Sequence, residues 1–190
     1  MMQVNEKTKR EVEAKSSTMS DFLRMEYLET VIRKTTDPEI LRYCYQELSK
    51  LYERKVMYTE AIKYLTKLKE ICILQREKVE CVIKEIELSI KSGNYDTTEM
   101  IYKNGLKDMS EKEKMEIKRK MIDSFKIEAE KFEKAGKNAG ALKIYERLIH
   151  YVVDYEKTEI KKRMLVCYKK LGKVRESIEI ERQLIRELPG

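Results

Sequence analysis

Four turn segments recur along the chain at near-equal intervals, and this recurrence constrains the fold more than any other feature of the sequence. The segments are centred on Val56, Gly93, Gly136 and Gly172, which are 37, 43 and 36 residues apart. Three of the four anchors are glycine, the residue that most readily adopts the left-handed backbone that ends a helix. We therefore predict that each anchor ends one helix and that an antiparallel helix follows it.

The residues on either side of each anchor also match in chemistry. Five positions after the anchors stand the small residues Ala61, Thr98, Ala141 and Ser177, and four positions before them stand Tyr52, Ser89, Phe132 and Tyr168. A small residue lets the returning helix approach closely, and a large aromatic side chain fills the gap between the two helices. Because one helical hairpin cannot bury its apolar face alone, we expect consecutive hairpins to stack.

The order of these residues resembles that of the tetratricopeptide repeat (TPR) family over roughly residues 38–189. The matching positions are Tyr45, Leu48, Tyr52, Tyr58, Ala61, Leu65 and Leu68 in the first unit, Phe125, Ala129, Phe132, Gly136, Ala141, Tyr145 and Leu148 in the third, and Leu165, Tyr168, Gly172, Ser177, Leu184 and Pro189 in the fourth. The second unit departs from the pattern at Ser89, Thr98 and Gly105. The resemblance implies an all-α fold, a right-handed α-α superhelix of about four helix-turn-helix units plus an N-terminal helix.

The helices predicted here are longer than those of the standard repeat, whose period is about 34 residues. Ser110 and Glu113 form a capping-box pattern that opens a helix running to Ala135. Such long hairpins also resemble SNAP-type vesicle-fusion adaptors and the PCI-type or proteasome-lid scaffolds. A long antiparallel coiled coil is a competing interpretation, but heptads alone do not explain a turn that returns at near-equal intervals.

The polarity pattern and the helix-start signals divide the chain into three predicted segments. Residues 1–19 lack a sustained apolar stripe, so we expect a flexible N-terminal tail or a frayed helix. An N-terminal capping helix is predicted over residues 20–37. The TPR-like repeat domain then spans residues 38–190, because Asp37 can cap a helix whose first position is Pro38.

Composition bounds the class of protein. The chain has 190 residues, of which 42% are apolar, and that is enough for a substantial core without disulfides or metals. No apolar run approaches the roughly 20 residues that cross a bilayer, and the N-terminus lacks the order of a secretory signal. The cysteines never form a C-x-x-C pair, which favours reduced thiols and a cytoplasmic location. They are Cys44, Cys72, Cys81 and Cys167.

No combination of residues identifies an enzyme. His150 is the only histidine, so it lacks the companions of a zinc site or a catalytic triad. Glutamates such as Glu85 and Glu87 stand two residues apart, a spacing that points them away from each other on a helix. Phosphate-binding and nucleophile-elbow motifs are absent from the sequence. We therefore predict no catalytic residues, no metal and no cofactor.

The TPR resemblance implies a concave groove lined mainly by the first helix of each hairpin. We expect a non-catalytic scaffold or adaptor that binds a peptide or helix of another protein there. The candidate contacts are Tyr43, Gln46, Lys50, Arg54, Lys126, Lys162, Lys169 and Lys170. Some family members hold a chaperone's C-terminal carboxylate with basic groove residues, but Asp123 and Ile127 occupy the corresponding places in the third unit.

The net charge of +7 is concentrated near the C-terminus, where residues 156–190 carry ten basic and six acidic side chains. A basic cluster could bind RNA or another polyanion through its phosphates, and this is the alternative function. The basic patch consists of Lys157, Lys161, Lys162, Arg163, Lys173 and Arg175. Self-association stays open as well, and the identity of a protein partner is not encoded in any motif.

Overall fold

The computed structural model describes residues 5–187, which form ten α-helices and no β-strand. The helices are α1 (Lys9–Ser17), α2 (Asp21–Lys34), α3 (Pro38–Arg54), α4 (Tyr58–Ile71), α5 (Gln75–Lys91), α6 (Tyr95–Gly105), α7 (Glu111–Lys134), α8 (Asn138–Leu148), α9 (Asp154–Lys170) and α10 (Val174–Arg186). The all-α prediction is confirmed. Short turns join α3 to α4, α5 to α6, α7 to α8 and α9 to α10, which gives the four predicted TPR-like hairpins.

The chain divides into two compact units, Met1–Glu113 and Lys114–Gly190. In unit 1, α1 and α2 pack on α3, and α3, α4, α5 and α6 then pack in succession. In unit 2, α8 packs on α9 and α9 on α10, while Gly140 of α8 lies against the ring of Phe132 on α7. The boundary between the units does not coincide with the predicted segment limits at residues 19 and 37. That three-segment division stays a prediction.

The predicted helix-ending turns adopt a left-handed backbone at every anchor. The φ angles are 62° at Val56, 75° at Gly93, 70° at Gly136 and 68° at Gly172. In each turn the residue after the anchor donates its N–H to the carbonyl four positions before the anchor. The N···O distances are 2.9 Å for Met57 to Tyr52, 3.2 Å for Asn94 to Ser89, 2.8 Å for Lys137 to Phe132 and 3.0 Å for Lys173 to Tyr168. This bond is the long-range bond of the Schellman motif, which satisfies a carbonyl that the helix itself leaves unpaired.

The small residues that follow each turn are buried, as the close approach of two helices requires. Ala61, Thr98 and Ala141 are fully covered and Ser177 is nearly so. In the second hairpin, which departs from the family pattern, the hydroxyls of Ser89 and Thr98 lie 2.8 Å apart and hydrogen-bond each other. The pair of an aromatic and a small residue found in the other hairpins is therefore replaced by a polar pair that satisfies itself inside the core.

Gly105 of the same hairpin is explained by a close helix contact. A Cβ atom at this position would lie 2.5 Å from Cγ1 of Val82 on α5. Real Cβ contacts are longer than this, so only glycine allows α6 to approach α5 this closely. The departure at Gly105 thus preserves the packing of the second hairpin.

The two predicted helix starts are confirmed. The side chain of Asp37 accepts from the backbone N–H groups of Glu39, at 2.8 Å, and Ile40, at 3.2 Å, and Pro38 occupies the first helical position. Before α7, the Ser110 N–H donates to the Glu113 carboxylate at 2.7 Å, and the Glu113 N–H donates back to the Ser110 hydroxyl at 3.4 Å. This capping box opens the longest described helix, of 24 residues.

Helix α1 lies in the segment for which the sequence predicts a flexible tail or a frayed helix. A capping box between Thr8 and Glu11 begins α1. Val12 is fully buried, and the Ser16 hydroxyl hydrogen-bonds the Tyr43 hydroxyl on α3 at 2.8 Å. Helix α1 has too few apolar positions to be stable by itself, and packing against α2 and α3 provides the stabilisation that it needs. Residues 1–4 of the predicted tail, and Pro189 at the other end, lie outside the described residues.

The four cysteines are free and buried, which agrees with the predicted reduced thiols. Burial raises the pKa of Cys44 to about 12. It also raises the pKa of Cys81 to about 12, with a further contribution from neighbouring Cys72. Cys44 and Cys81 are therefore protonated at neutral pH and behave as small apolar side chains of the core.

The left-handed turn at Val56 predicts the effect of a glycine substitution. A left-handed conformation costs a non-glycine residue about 1–2 kcal/mol, and the added flexibility of glycine in the unfolded chain offsets part of this. Val56 is 66% exposed, so little burial is lost. We expect Val56→Gly to raise the free energy of unfolding by about 1 kcal/mol in urea titrations.

Val174 provides a matched control for this substitution. It is also a valine, it is also 66% exposed, and it starts α10 with an ordinary helical backbone. We expect Val174→Gly to leave the free energy of unfolding unchanged or to lower it, because glycine is a poor helix former. Equal effects of the two substitutions would contradict the assignment of strain to Val56.

Candidate functional site

Each unit contains a cavity between the first helices of its two hairpins. The unit 1 cavity lies between α3 and α5 and has a volume of about 300 Å³. Two of the predicted groove residues, Gln46 and Lys50 on α3, line it. Across from them α5 contributes Glu80 and Lys84. Gln46 and Lys50 thus lie at this cavity, and their contact with a partner stays a prediction.

Ion pairs between α3 and α5 shape the unit 1 cavity. The carboxylate of Glu53 accepts from Lys84 at 3.0 Å and from Lys91 at 2.9 Å. Burial by itself raises the pKa of Glu53, but the hydrogen bonds from Lys91 and Lys84 outweigh burial, and the net effect lowers the pKa below 4.5. Arg42 donates to one carboxylate oxygen of Glu77, and the other Glu77 oxygen is buried without a hydrogen bond. Opposite charges are therefore closely matched around this cavity.

The unit 2 cavity lies between α7 and α9, with α8 contributing to its lining, and has a volume of about 480 Å³. From α7 it receives Lys126 and Glu130, and from α9 it receives Glu159, Ile160 and Arg163 together with Tyr155 and Glu156 near the start of that helix. The contribution of α8 is Tyr145. The volume falls in the range of ordinary ligand pockets, about 300–1,000 Å³.

Carboxylates outnumber cations around the unit 2 cavity. Lys126 pairs with Glu156 at 2.6 Å, and Arg163 pairs with Glu133, which lies behind the lining, at 2.9 Å. Glu130 and Glu159 approach Arg163 only at 3.8 and 4.0 Å, distances too long for hydrogen bonds. Both cationic side chains are therefore already bonded, whereas two carboxylates that line the cavity are not.

Tyr145 carries a buried hydroxyl that lacks a hydrogen-bond partner. Its side chain is only 2% exposed, and the hydroxyl is closed off from water. Burial raises the pKa of Tyr145, the neighbouring Glu133 carboxylate raises it further and Arg163 lowers it, so the phenol is protonated and lies beside both charged groups without hydrogen-bond geometry to either. A buried polar group without a partner costs roughly 1–3 kcal/mol, which makes this hydroxyl unusual in a folded protein.

Two predicted groove residues of unit 1 lie elsewhere than expected. Tyr43 is buried beneath α1 and α2, where its hydroxyl contacts Ser16 at 2.8 Å and accepts from Arg24 at 3.3 Å. It does not face an open surface, because α1 covers it. Arg54 is half exposed and pairs with Asp21 at the start of α2, at 2.9 Å, rather than lining the unit 1 cavity.

The remaining predicted contacts belong to unit 2. Lys126 lines the cavity, as described above. Lys162, Lys169 and Lys170 are exposed on α9 but are not among the residues that line it. Lys169 pairs with Glu181 of α10 at 2.5 Å. The sequence had no signal for the importance of Tyr145 and Tyr155, because aromatic residues in a repeat usually indicate packing alone.

The predicted basic patch is largely paired with acidic side chains. Partners lie close to most of its members, and the pairs are Lys157–Asp154 at 2.9 Å, Lys161–Glu187, Lys162–Glu159 at 3.9 Å, Arg163–Glu133 at 2.9 Å and Lys173–Glu176 at 3.8 Å. Arg175 is exposed near the start of α10. The sequence counts give the excess of positive charge, but the fold distributes carboxylates among the basic groups.

Potential metal ligands are scattered over the described part of the chain. Between residues 5 and 187, no three His, Cys, Asp or Glu side chains are arranged to bind a metal ion. His150 is exposed in the turn after α8. None of the helices described is long and apolar enough to span a bilayer.

Among known proteins, the chain is similar to solved structures and to nothing else in the comparison. No family model matches the chain, and no curated protein sequence matches it. The chain is similar to BtubC (BKLC) from P. vanneervenii, with 11% identity, coverage of 92% of this chain and 76% of that chain, and a TM-score of 0.40. A kinesin light chain-like protein with nearly identical TPR-like repeats from Podosopora anserina has 14% identity, coverage of 94% and 92%, and a TM-score of 0.37.

A protein from Bacteroides ovatus described as a protein binding protein is similar as well. Its identity is 14%, the coverage is 93% of this chain and 100% of that chain, and the TM-score is 0.35. Identities and TM-scores this low carry no argument about this chain. The functional inference therefore rests on the cavities and side chains of this chain.

The ion pairs of Glu53 predict how stability depends on pH. Because the pKa of Glu53 in the folded protein lies below its unfolded value, the carboxylate stabilises the fold above the unfolded pKa, and this contribution is lost as the pH falls through the folded pKa. We expect Glu53→Gln to lower the free energy of unfolding by about 1 kcal/mol at pH 7. The wild-type protein should lose more stability than this variant as the pH falls below about 4.5.

Glu80→Gln is the control for the loss of one negative charge. Glu80 is exposed on α5 and pairs with Arg76 of the same helix at 3.1 Å, so it makes no link between helices. Urea titrations at several pH values measure all three proteins. If Glu53→Gln had the same pH profile as the wild type, the pairs with Lys84 and Lys91 would not contribute to the acid sensitivity.

Proposed function

We propose that this protein is a non-catalytic scaffold or adaptor that binds a segment of another protein at the cavities between the first helices of its hairpins. The observation that carries the proposal is the construction of these cavities. In each unit, side chains from two first helices provide charged walls around a partly apolar lining, for example Leu65 and Leu68 in unit 1 and Ile160 in unit 2. Protein-binding sites typically combine apolar contact with such polar groups at the edge.

Exposed apolar side chains on the first helices of unit 2 support the proposal. Ile127 on α7 is 55% exposed and Val166 on α9 is 49% exposed. Both stand at positions that the TPR resemblance assigns to the groove. A bound segment that covered them would remove apolar surface from water, which favours binding. The four free thiols support a reducing compartment such as the cytoplasm for this function.

Selection of peptides on the intact chain tests the proposal. Random peptides displayed on phage are selected on the immobilised protein, and the affinities of synthetic copies are measured by fluorescence anisotropy. We expect Lys50→Ala in unit 1 or Tyr155→Ala in unit 2 to weaken binding roughly tenfold, the effect of losing about 1.4 kcal/mol of contact energy. Lys143→Ala is the matched control, because Lys143 is exposed on α8 and lines neither cavity.

Two results of this selection would count against the proposal. One is the failure to obtain any peptide that binds the intact chain. The other is a set of peptides whose affinity falls with Lys143→Ala and not with either cavity substitution. Circular dichroism of every variant confirms that the helices are intact, so a loss of binding is not a loss of folding.

The alternative function, binding of RNA or another polyanion, has less support. Phosphate contacts by the basic patch would have to replace the ion pairs that Lys157, Lys161 and Arg163 already make. We expect no retardation of single-stranded RNA by the protein in a gel-shift assay at about 0.1 M salt. Retardation that weakens steeply as the salt concentration rises would instead support the polyanion function.

A further inference from the structure

We propose that the unit 2 cavity binds the cationic side chain of a lysine or arginine in the partner segment. This inference rests on the proposed function and adds the chemistry of the residue that is recognised. It depends on Glu130 and Glu159, on the buried hydroxyl of Tyr145, and on the exposed ring of Tyr155. Each of these features points to a cationic ligand for a separate physical reason.

The first reason is that two carboxylates in the lining lack hydrogen bonds. Glu130 is on α7 and Glu159 is on α9, and both approach Arg163 only at ion-pair distance. Glu159 also lies 3.9 Å from Lys162, an exposed side chain that does not line the cavity. An ammonium or guanidinium group between the two helices can donate to both carboxylates at once. Such charge-assisted hydrogen bonds are stronger than those between neutral groups.

The second reason is that an anionic ligand would find no cation available. Lys126 is bonded to Glu156 at 2.6 Å, and Arg163 is bonded to Glu133 at 2.9 Å. A carboxylate or phosphate would have to break one of these pairs and would also face the negative charges of Glu130 and Glu159. Electrostatic complementarity therefore selects a positive group.

The third reason is the unbonded hydroxyl of Tyr145, which lies beside Glu133 and Arg163. In the free protein, the carboxylates of Glu130 and Glu159 attract Arg163 from the cavity side. A ligand cation bound to both carboxylates would weaken this attraction. Arg163, which already lies beside the Tyr145 hydroxyl, can then close to hydrogen-bond distance and donate an N–H to the phenol oxygen. Binding would thereby satisfy a polar group that the free protein leaves buried without a partner.

Aromatic and aliphatic surfaces suit the rest of such a side chain. Tyr155 is 79% exposed at the edge of the cavity, and the face of a tyrosine ring attracts cations. Ile160 lines the same cavity and can contact the methylene groups of a lysine or arginine, which pack on apolar surfaces. The volume of about 480 Å³ leaves room for this side chain and part of its backbone.

Mixtures of hexapeptides test the charge of the ligand directly. Each fluorescent, N-acetylated and C-amidated mixture has one fixed central residue, arginine, lysine, leucine or glutamate, and random neutral residues elsewhere. Anisotropy titrations use the full chain. We expect the arginine and lysine mixtures to bind at least tenfold more tightly than the leucine and glutamate mixtures.

Variants of the cavity locate the effect. The double substitution Glu130→Gln/Glu159→Gln should reduce the preference for basic mixtures about tenfold, whereas Glu176→Gln/Glu179→Gln, which removes the same charge from α10, should leave it unchanged. Tyr145→Phe should weaken binding of the basic mixtures several-fold without lowering the free energy of unfolding, because the hydroxyl it removes makes no hydrogen bond in the free protein. A stability loss with unchanged affinity would overturn the role of Tyr145.

The outcomes separate this inference from the proposed function. If the leucine or glutamate mixture binds best, or if basic mixtures bind equally well to the Glu130→Gln/Glu159→Gln variant, the inference is overturned and peptide binding stands. If none of the mixtures binds and phage selection also yields no peptide, both are overturned. Preference for basic mixtures that is lost in the cavity variants supports both.

Discussion

The hairpins of this protein depend on one backbone hydrogen bond, the one that closes each left-handed turn. In the first hairpin the Met57 N–H reaches back to the carbonyl of Tyr52, and equivalent bonds occur in the other three. This bond ends the first helix and sets the direction of the second, so a small residue such as Ala61 is brought against the preceding helix. Stacking of the hairpins follows, because their apolar faces cannot be buried within one pair of helices.

The same arrangement determines where charged groups can meet. First helices of successive hairpins lie on either side of a cavity in each unit, and long polar side chains bridge them, as Glu53 does to Lys84 and Lys91 in unit 1. In unit 2 the match is incomplete, since Glu130 and Glu159 have no hydrogen bond and the Tyr145 hydroxyl has no partner. Glu130 and Glu159 are open to water, whereas the Tyr145 hydroxyl is buried, and a fold stabilised elsewhere can retain such a buried unsatisfied group at a binding site.

Local rules predicted the fold well because the turns and caps are local structures. Gly93, Gly136 and Gly172 were recognisable as helix ends, and Asp37 with Pro38 as a helix start, from neighbouring residues alone. The sequence predicts at most a frayed helix in the region of α1, although the Thr8–Glu11 capping box is a local signal. The few apolar residues of α1 are buried by α2 and α3, which the sequence pattern does not place beside it. Tyr43 was assigned to an open groove for the same reason, and α1 covers it.

The sequence by itself determined the class of fold: its near-equal turn spacing, small residues after each turn and helix caps all act over a few residues and specify antiparallel hairpins. Only the tertiary structure decided the candidate site. Charge counts predicted a basic patch at the C-terminal end, whereas the fold pairs Lys161 with Glu187 and Arg163 with Glu133 and leaves carboxylates at the unit 2 cavity. Pairing and burial depend on distances between residues on different helices, and these distances are set when the helices pack.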